Sequence, residues 1–321
     1  MASVVEIVFL GTGTSSSVPS ISCLTSPKKS CSVCLSSQTP EGRKNNRRNT
    51  SMVVRFRKHS DPEGARLRNV LIDCGKTFYD SAIQILPQYG IRELDGVIIT
   101  HGHADACYGM DDLRGWTLGG TIQSHIDVHL SPEAMEVVTR TFPFLVDASM
   151  ATGGGEVADF KYYVFDPAQS FTIEGLEFTP LPAHHGKYIT TNEPYFCYGF
   201  HFDGISYISD TNYIPKETMD LMVGKSRIFV VDCLRLIHPH ASHFMLDESI
   251  EAARKVKAFK TYYVGFAHRV DHYLLEDQLK ELEKTEGLRV APAFDGLKVS
   301  LENTDELVES CYFEPNSVVV K

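Results

Sequence analysis

The sequence lacks any long apolar run. No stretch approaches the roughly 18 to 20 apolar residues that cross a bilayer, and the first residues lead into a strand pattern with no secretory signal. Cysteine is also sparse, with 8 residues among 321, which excludes a disulfide scaffold. These absences predict a cytoplasmic protein that has no membrane partner.

Positive charge is in deficit as well. The formal net charge is -10 at pH 7, which disfavours a nucleic-acid partner. The run from Arg43 to Arg48 is a local basic exception. Two interpretations of that run stay open: it is a solvated loop, or it is a segment that faces a phosphate.

The length and apolar content allow a large core. With 43% hydrophobic residues and no linker long enough to divide it, the chain is predicted to be a single domain over residues 1–321, with residues 303–321 as a carboxy-terminal tail. Residues 312–320 of that tail are expected to add an edge strand or a homodimer contact.

Periodicity predicts an α/β fold. Strand pairs come first in each half and helices follow, an order typical of two mixed sheets with helices outside, the four-layer αββα sandwich. The predicted strands span 4–10, 51–56, 70–72, 96–100, 176–181, 195–202, 205–208, 228–231 and 261–264. The predicted helices span 76–86, 106–118, 132–140, 246–256 and 273–283.

Two groups of residues have metal-ligand spacing. His101 and His103 follow the apolar run 96–99, and Asp105 comes next. Alternate residues of an extended segment point the same way, and neutral imidazoles and carboxylates are ordinary zinc ligands. The competing interpretation is a polar loop with surface histidines. Cys31 and Cys34 have the Cys-x2-Cys spacing that grips one zinc, without a complete ligand set of their own.

Further polar motifs follow the predicted strands, and together they carry a family resemblance. They lie at 71–75, 101–105, 182–186, 207–211, 242–244 and 267–272. With these motifs the chain resembles the metallo-β-lactamase superfamily over nearly its full length. The glycine-rich opening at 11–15, the early cysteines and the segment 109–114 make it similar to the branch containing the cyclic phosphodiesterase of the carbon-phosphorus lyase pathway.

The resemblance implies a catalytic metal site. Its ligands would be His101, His103, His185 and Asp210, and His184 is the alternative to His185. The family's second metal also needs two histidines at the places where this sequence has Ala106 and Gly265. Two carboxylates alone are too few ligands for a tight site. We therefore predict one catalytic metal, zinc or manganese, with a weak second site only if His243 or a substrate phosphate is recruited.

The resemblance also implies a structural zinc. In the related phosphodiesterase the histidine that matches His268 joins the early cysteines, here Cys23, Cys31 and Cys34. Three thiolates and one imidazole form a closed tetrahedral set. A seven-residue insertion after Cys23 makes its membership the least secure. The alternatives are free thiols beside a core histidine, and His268 as a catalytic ligand.

The expected chemistry is hydrolysis by metal-bound hydroxide. Asp105 is placed to accept or orient the proton of the water, and His243 matches the family position that donates a proton to the leaving group. Candidate holders of the substrate phosphate are Arg114, Lys187, Arg47 and Arg48.

The predicted function is therefore that of a metal-dependent phosphodiesterase. Its substrate would be a small cyclic or nucleotide-like phosphodiester. The superfamily has other reaction classes, so two alternatives stay open. One is a hydrolase of a thioester, a lactone-type substrate or RNA; the other is a protein that binds a phosphate ligand without turnover.

Overall fold

The computed structural model describes residues 1–154, 156–301 and 306–320. These residues form two compact units. The first unit contains residues 1–11, 51–178 and 296–321, and the second contains residues 12–50 and 179–295. Of the predicted tail, residues 303–305 and 321 lie outside the described residues.

Strands supply most of the framework. They are β1 (Ala2–Gly11), β2 (Ser51–Lys58), β3 (Arg68–Ile72), β4 (Gly96–Ile99), β5 (Ile126–Leu130), β6 (Phe160–Val164), β7 (Phe171–Ile173), β8 (Leu176–Lys187), β9 (Pro194–Phe202), β10 (Ile205–Ile208), β11 (Ile228–Asp232), β12 (Lys260–Val264), β13 (Val290–Pro292), β14 (Leu297–Ser300), β15 (Leu307–Cys311) and β16 (Glu314–Val320).

The helices are shorter and lie between the strands. They are α1 (Ile21–Thr25), α2 (Ser32–Ser36), α3 (Phe78–Ile85), α4 (Ala104–Cys107), α5 (Arg114–Thr117), α6 (Pro132–Thr141), α7 (Pro143–Val146), α8 (Lys216–Met222), α9 (Leu246–Val256) and α10 (His272–Glu286). Among the described residues no helix has the length and apolar character that a bilayer crossing requires.

The first unit is built on a nine-stranded mixed sheet in the order β16-β15-β14-β1-β2-β3-β4-β5-β6. The strands from β3 to β6 run parallel, and the others pair antiparallel. All four residues of β4 are buried, as expected for a central parallel strand. The predicted edge strand in the tail is present as β16.

The second unit is built on a mixed sheet in the order β13-β12-β11-β10-β9-β8, and the first three residues of β8 pair with β7 in the first unit. The strands β10 to β13 are parallel. The helices α9 and α10 cover this sheet with a stripe of aliphatic residues such as Ile250, Leu275 and Leu279. Because β10, β11 and β12 are parallel neighbours, the loops after them meet at one edge of the sheet.

The predicted class, α/β with two mixed sheets, is confirmed. The predicted helix at 106–118 is wrong, because the segment breaks into α4, α5 and short 3₁₀ turns. The amide of Gly109 donates to the Cys74 carbonyl at 2.8 Å, and a Cβ at Gly109 would collide with the backbone oxygen of Gly75. This tertiary contact replaces the helical hydrogen bond that local periodicity predicts.

A fully buried arginine ties two loops of the second unit together. Arg47 is 0% exposed. Its guanidinium donates to the Val270 carbonyl at 2.8 Å and to Asn45 at 3.3 Å, and it lies 5.0 Å from the centre of the Phe266 ring. Burial lowers the pKa of Arg47 to about 10. A wholly buried side chain has no surface to offer a phosphate, so that interpretation of the basic run is wrong for Arg47.

We expect Arg47→Ala to lower the free energy of unfolding by about 3 kcal/mol, because it leaves the buried carbonyl of Val270 without its donor and opens a cavity. The exposed Arg43→Ala is the matched control and should change it by less than about 0.5 kcal/mol. Urea unfolding measures both variants. Equal stability of the two would contradict the role of Arg47.

Candidate metal centres

In the first unit, the loop after β4 presents the predicted histidines. His101 is 2% exposed, whereas His103 is exposed and precedes α4. Their rings meet edge to face, with centroids 4.7 Å apart. Alternate residues of this loop therefore offer two imidazoles at one place.

A hydrogen-bond chain fixes the tautomer of His101. The Thr100 hydroxyl donates to Asp73 at 2.8 Å and lies 2.8 Å from Nδ1 of His101. Because the hydroxyl proton is used on Asp73, the Thr100 oxygen accepts the Nδ1 proton of His101. Nε2 of His101 then carries the lone pair that a metal requires.

Asp105 lies in the first turn of α4. Its position is set by Gly75, where a Cβ would collide with the Asp105 backbone, and by the bond from the Cys74 amide to the Ala106 carbonyl at 2.8 Å. Arg114, the predicted phosphate holder of this unit, is exposed and pairs with Asp111 at 2.8 Å.

In the second unit, His185, Asp210 and His243 come together. Each offers one ligand atom, and these atoms lie within 4.8 Å of one another. His185 and Asp210 are 5% and 6% exposed. Nδ1 of His185 donates to the Ser242 carbonyl at 2.7 Å, since a carbonyl only accepts. Nε2 of His185 is left as the coordinating atom.

The loops that carry these residues are locked to one another. The Gly186 amide donates to the Asn212 side chain at 2.6 Å, and the Thr211 hydroxyl donates to the His184 carbonyl at 3.1 Å. The ring of His184 packs against Phe196, and among the described residues it belongs to no cluster of potential ligands. Of the two histidines, only His185 has a ring nitrogen near other potential ligand atoms of the described residues, and its role as a ligand stays a prediction.

A buried carboxylate orients His243. The sequence motifs did not point to this residue. Asp232 ends β11 and is 0% exposed. Its Oδ2 lies 2.8 Å from Nδ1 of His243 and accepts the Thr211 amide at 3.0 Å. Burial raises the pKa of Asp232 to about 6, against the opposing effect of His243. A signal for this residue exists in the sequence, because Asp232 follows an apolar run just as Asp73 and Asp210 do.

Ala106 and Gly265, where the resemblance implies histidines for a second metal, have different surroundings. Ala106 is 2% exposed and packed in the first unit. Gly265 has φ +81°, and a Cβ there would come within 2.5 Å of Oδ1 of Asp232. The space that any side chain at position 265 would need is therefore filled by the Asp232 carboxylate.

A second cluster gathers the early cysteines and His268. The ligand atoms of Cys23, Cys31, Cys34 and His268 lie within 4.8 Å of one another. Nδ1 of His268 is 3.4 Å from the Cys23 sulfur and 3.5 Å from the Cys31 sulfur. The insertion after Cys23 leaves this sulfur in reach of the others. Three thiols and one imidazole fit the donor set of a tetrahedral zinc.

The thiols of this cluster have unequal environments. Burial raises the pKa of the Cys34 thiol to about 12. Burial also raises the pKa of Cys31, but hydrogen bonds from Cys34 and Cys23 outweigh it, so the pKa of Cys31 is lowered overall. A metal ion would draw all three thiols to their thiolate form, because the thiolate is the ligand.

Comparison with known proteins gives the family. A model of the β-lactamase superfamily domain matches residues 68–266, which is more than half of the chain. The chain belongs to this superfamily.

Solved structures agree on the fold. A new diphosphatase from the PhnP family is 26% identical, with a TM-score of 0.73, covering 97% of this chain and 100% of that one. The metallo-β-lactamase fold protein YhfI from Bacillus subtilis is 16% identical, with a TM-score of 0.63, over 92% of this chain and 98% of that one. The short form of human tRNase Z is 16% identical, with a TM-score of 0.56, and the match covers 93% of this chain and 100% of that one.

A curated relative is longer than this chain. An octanoyltransferase of Porphyromonas gingivalis (strain ATCC BAA-308 / W83) is 24% identical over 311 residues, which cover 96% of this chain and 54% of that protein. The chain thus spans about half the length of this relative.

We expect Gly265→Ala to destabilise the fold by at least about 2 kcal/mol, because it adds a steric clash with Asp232 to the strain of a positive φ. Gly224→Ala is the matched control, since Gly224 has φ +68° and a Cβ there would meet no atom within 4 Å; it should cost about 1 kcal/mol. Thermal unfolding compares them. Equal costs would show that Asp232 does not restrict position 265.

Proposed function

We propose that this chain is a phosphodiesterase for a small cyclic or nucleotide-like phosphodiester, with a single catalytic metal, zinc or manganese. The residues that would hold this metal are His101, His103, His185 and Asp210. The observation that carries the proposal is the grouping of His185, Asp210 and His243 within 4.8 Å, with Nδ1 of His185 already engaged by a carbonyl. The likeness to a diphosphatase supports phosphoester chemistry.

A bound divalent ion would lower the pKa of a coordinated water toward neutrality and so supply the nucleophile. The protein itself sets the tautomers of the two histidine ligands His185 and His101. The carbonyl of Ser242 and the hydroxyl of Thr100 hold the Nδ1 protons of His185 and His101, so both Nε2 atoms keep a lone pair. Asp105 accepts the proton that leaves the attacking water.

His243 has the general-acid role. Oδ2 of Asp232 holds Nδ1 of His243 at 2.8 Å, which fixes the ring and stabilises its protonated form, as a buried carboxylate does for a catalytic imidazole. The proton at Nε2 then passes to the leaving alkoxide. Asp232 acts through His243, so it is a positioning residue.

The substrate phosphate needs a cation, and Lys187 meets that need best. It ends β8, two residues after His185, and its ammonium is exposed beside Asn192. A lysine gives a charge that reaches a phosphate without a fixed geometry. Arg114 is the second candidate, and it would have to exchange its bond to Asp111 for one to the substrate.

We further propose that Cys23, Cys31, Cys34 and His268 hold one structural zinc. Such an ion contributes folding free energy and leaves no position for water. The proposed count is thus about two metal ions per chain, and the partners are a small phosphorylated substrate and, as a further proposal, a second copy of this chain.

The catalytic proposal predicts metal-dependent hydrolysis of bis(4-nitrophenyl) phosphate. Asp210→Ala should lower kcat/KM by at least roughly a hundredfold, because it removes a ligand and the neighbour of His243. Asp220→Ala, which removes a surface carboxylate that pairs with Lys216, is the control and should keep full activity. Failure of the wild type with every divalent metal would overturn the phosphodiesterase and favour a non-catalytic phosphate binder.

The metal count tests the two-site proposal. Elemental analysis of the purified chain should give about two metal ions, and Cys31→Ser/Cys34→Ser should retain about one while hydrolysis persists. Cys74→Ser is the control, since Cys74 is a buried thiol outside the cluster. Three ions in the wild type would sink the single catalytic metal, and an unchanged count in the double variant would sink the structural zinc.

A further inference from the structure

The hairpin between β8 and β9 carries an exposed tyrosine and an exposed isoleucine close in sequence to the candidate ligand His185. Tyr188 is 43% exposed, and Ile189 beside it is 98% exposed. Large apolar side chains that are exposed together mark a surface at which another molecule binds. None of the roles proposed above uses these residues.

The exposed tyrosine is connected to His185 by ring contacts. Tyr188 meets Tyr195 edge to face, with centroids 5.3 Å apart. Tyr195 in turn lies 6.2 Å from the ring of His185, and the rings of His185 and His243 are 4.8 Å apart. Ring contacts therefore connect the buried candidate ligand His185 to an exposed tyrosine of the second unit.

The hairpin holds this surface in place. The Tyr188 amide donates to the Glu193 carbonyl at 2.9 Å, and the Asn192 amide donates back to the Tyr188 carbonyl at 2.8 Å. Lys187 reaches Asn192 on the same hairpin. The hairpin therefore carries both an exposed ring and a cation, which suits a ligand that has a flat π-system and a phosphate.

We propose that Tyr188 and Tyr195 form a stacking platform for the nucleobase of the substrate, which makes the substrate a nucleotide diester and not a sugar diester without a base. The inference rests on the proposed phosphodiesterase, because the phosphate is placed at His185 and Lys187. Base stacking on an aromatic ring tolerates any base, so the platform selects for a base without selecting which one.

The test compares ligands with and without a base on the full-length protein. Adenosine 2′,3′-cyclic phosphate and ribose 2,3-cyclic phosphate are the substrates, and AMP and ribose 5-phosphate are the ligands for titration calorimetry. In the wild type the base should improve kcat/KM and affinity roughly tenfold, and Tyr188→Ala should abolish that advantage. Tyr188→Phe should keep it, because the ring remains.

Tyr213→Ala is the matched control, since Tyr213 is 53% exposed in the same unit but packs against His184. It should leave the preference for a base unchanged. If the wild type has equal kcat/KM and equal affinity for the ligands with and without a base, the platform is overturned. If Tyr188→Ala instead dissociated a dimer, the platform would be overturned as well, because the surface would belong to a second copy of this chain.

The same experiment separates the two proposals. If neither cyclic phosphate is hydrolysed but AMP still binds more tightly than ribose 5-phosphate, the phosphodiesterase fails and the platform stands. If both are hydrolysed at equal rates and AMP has no advantage, the phosphodiesterase stands and the platform fails.

Discussion

The carboxylate of Asp232 is fully buried, and three segments of the second unit are arranged around it. One oxygen accepts the Thr211 amide, next to Asp210, and holds Nδ1 of His243. The other oxygen occupies the space in front of Gly265. Burying a carboxylate costs free energy unless it is hydrogen-bonded. The hydrogen bonds that Asp232 requires therefore hold these segments together.

The buried carboxylate of Asp232 also restricts which residue position 265 can hold. A side chain at position 265 would displace Asp232, and His243 would lose the carboxylate that orients it. Ala106 is packed into the core of the first unit. The space at position 265 is thus used by a carboxylate that holds the imidazole of His243.

The cysteine cluster has its own support. Arg47 hydrogen-bonds the backbone of the loop that carries His268, at Val270, while Asn45 bonds to Asp271 at the start of α10. A charged side chain inside a protein needs several acceptors, and here they are the carbonyls of Ala267 and Val270 and the side chain of Asn45. Folding of the basic run, whose composition is typical of a surface segment, thus sets the position of one ligand of the proposed zinc.

The sequence by itself determined which side chains are candidate metal ligands and most of the strands that these residues follow. An apolar run followed by a turn is a local pattern, so it can be recognised without the tertiary structure. It did not determine the broken segment after Asp105, the strands β5 and β6, or the role of Asp232 and Arg47. Those features depend on contacts between residues far apart in the chain: the Cys74 carbonyl accepts the Gly109 amide, and the Asp232 carboxylate faces Gly265. Only the tertiary structure decided them, because burial and hydrogen-bond partners are fixed when distant segments pack together.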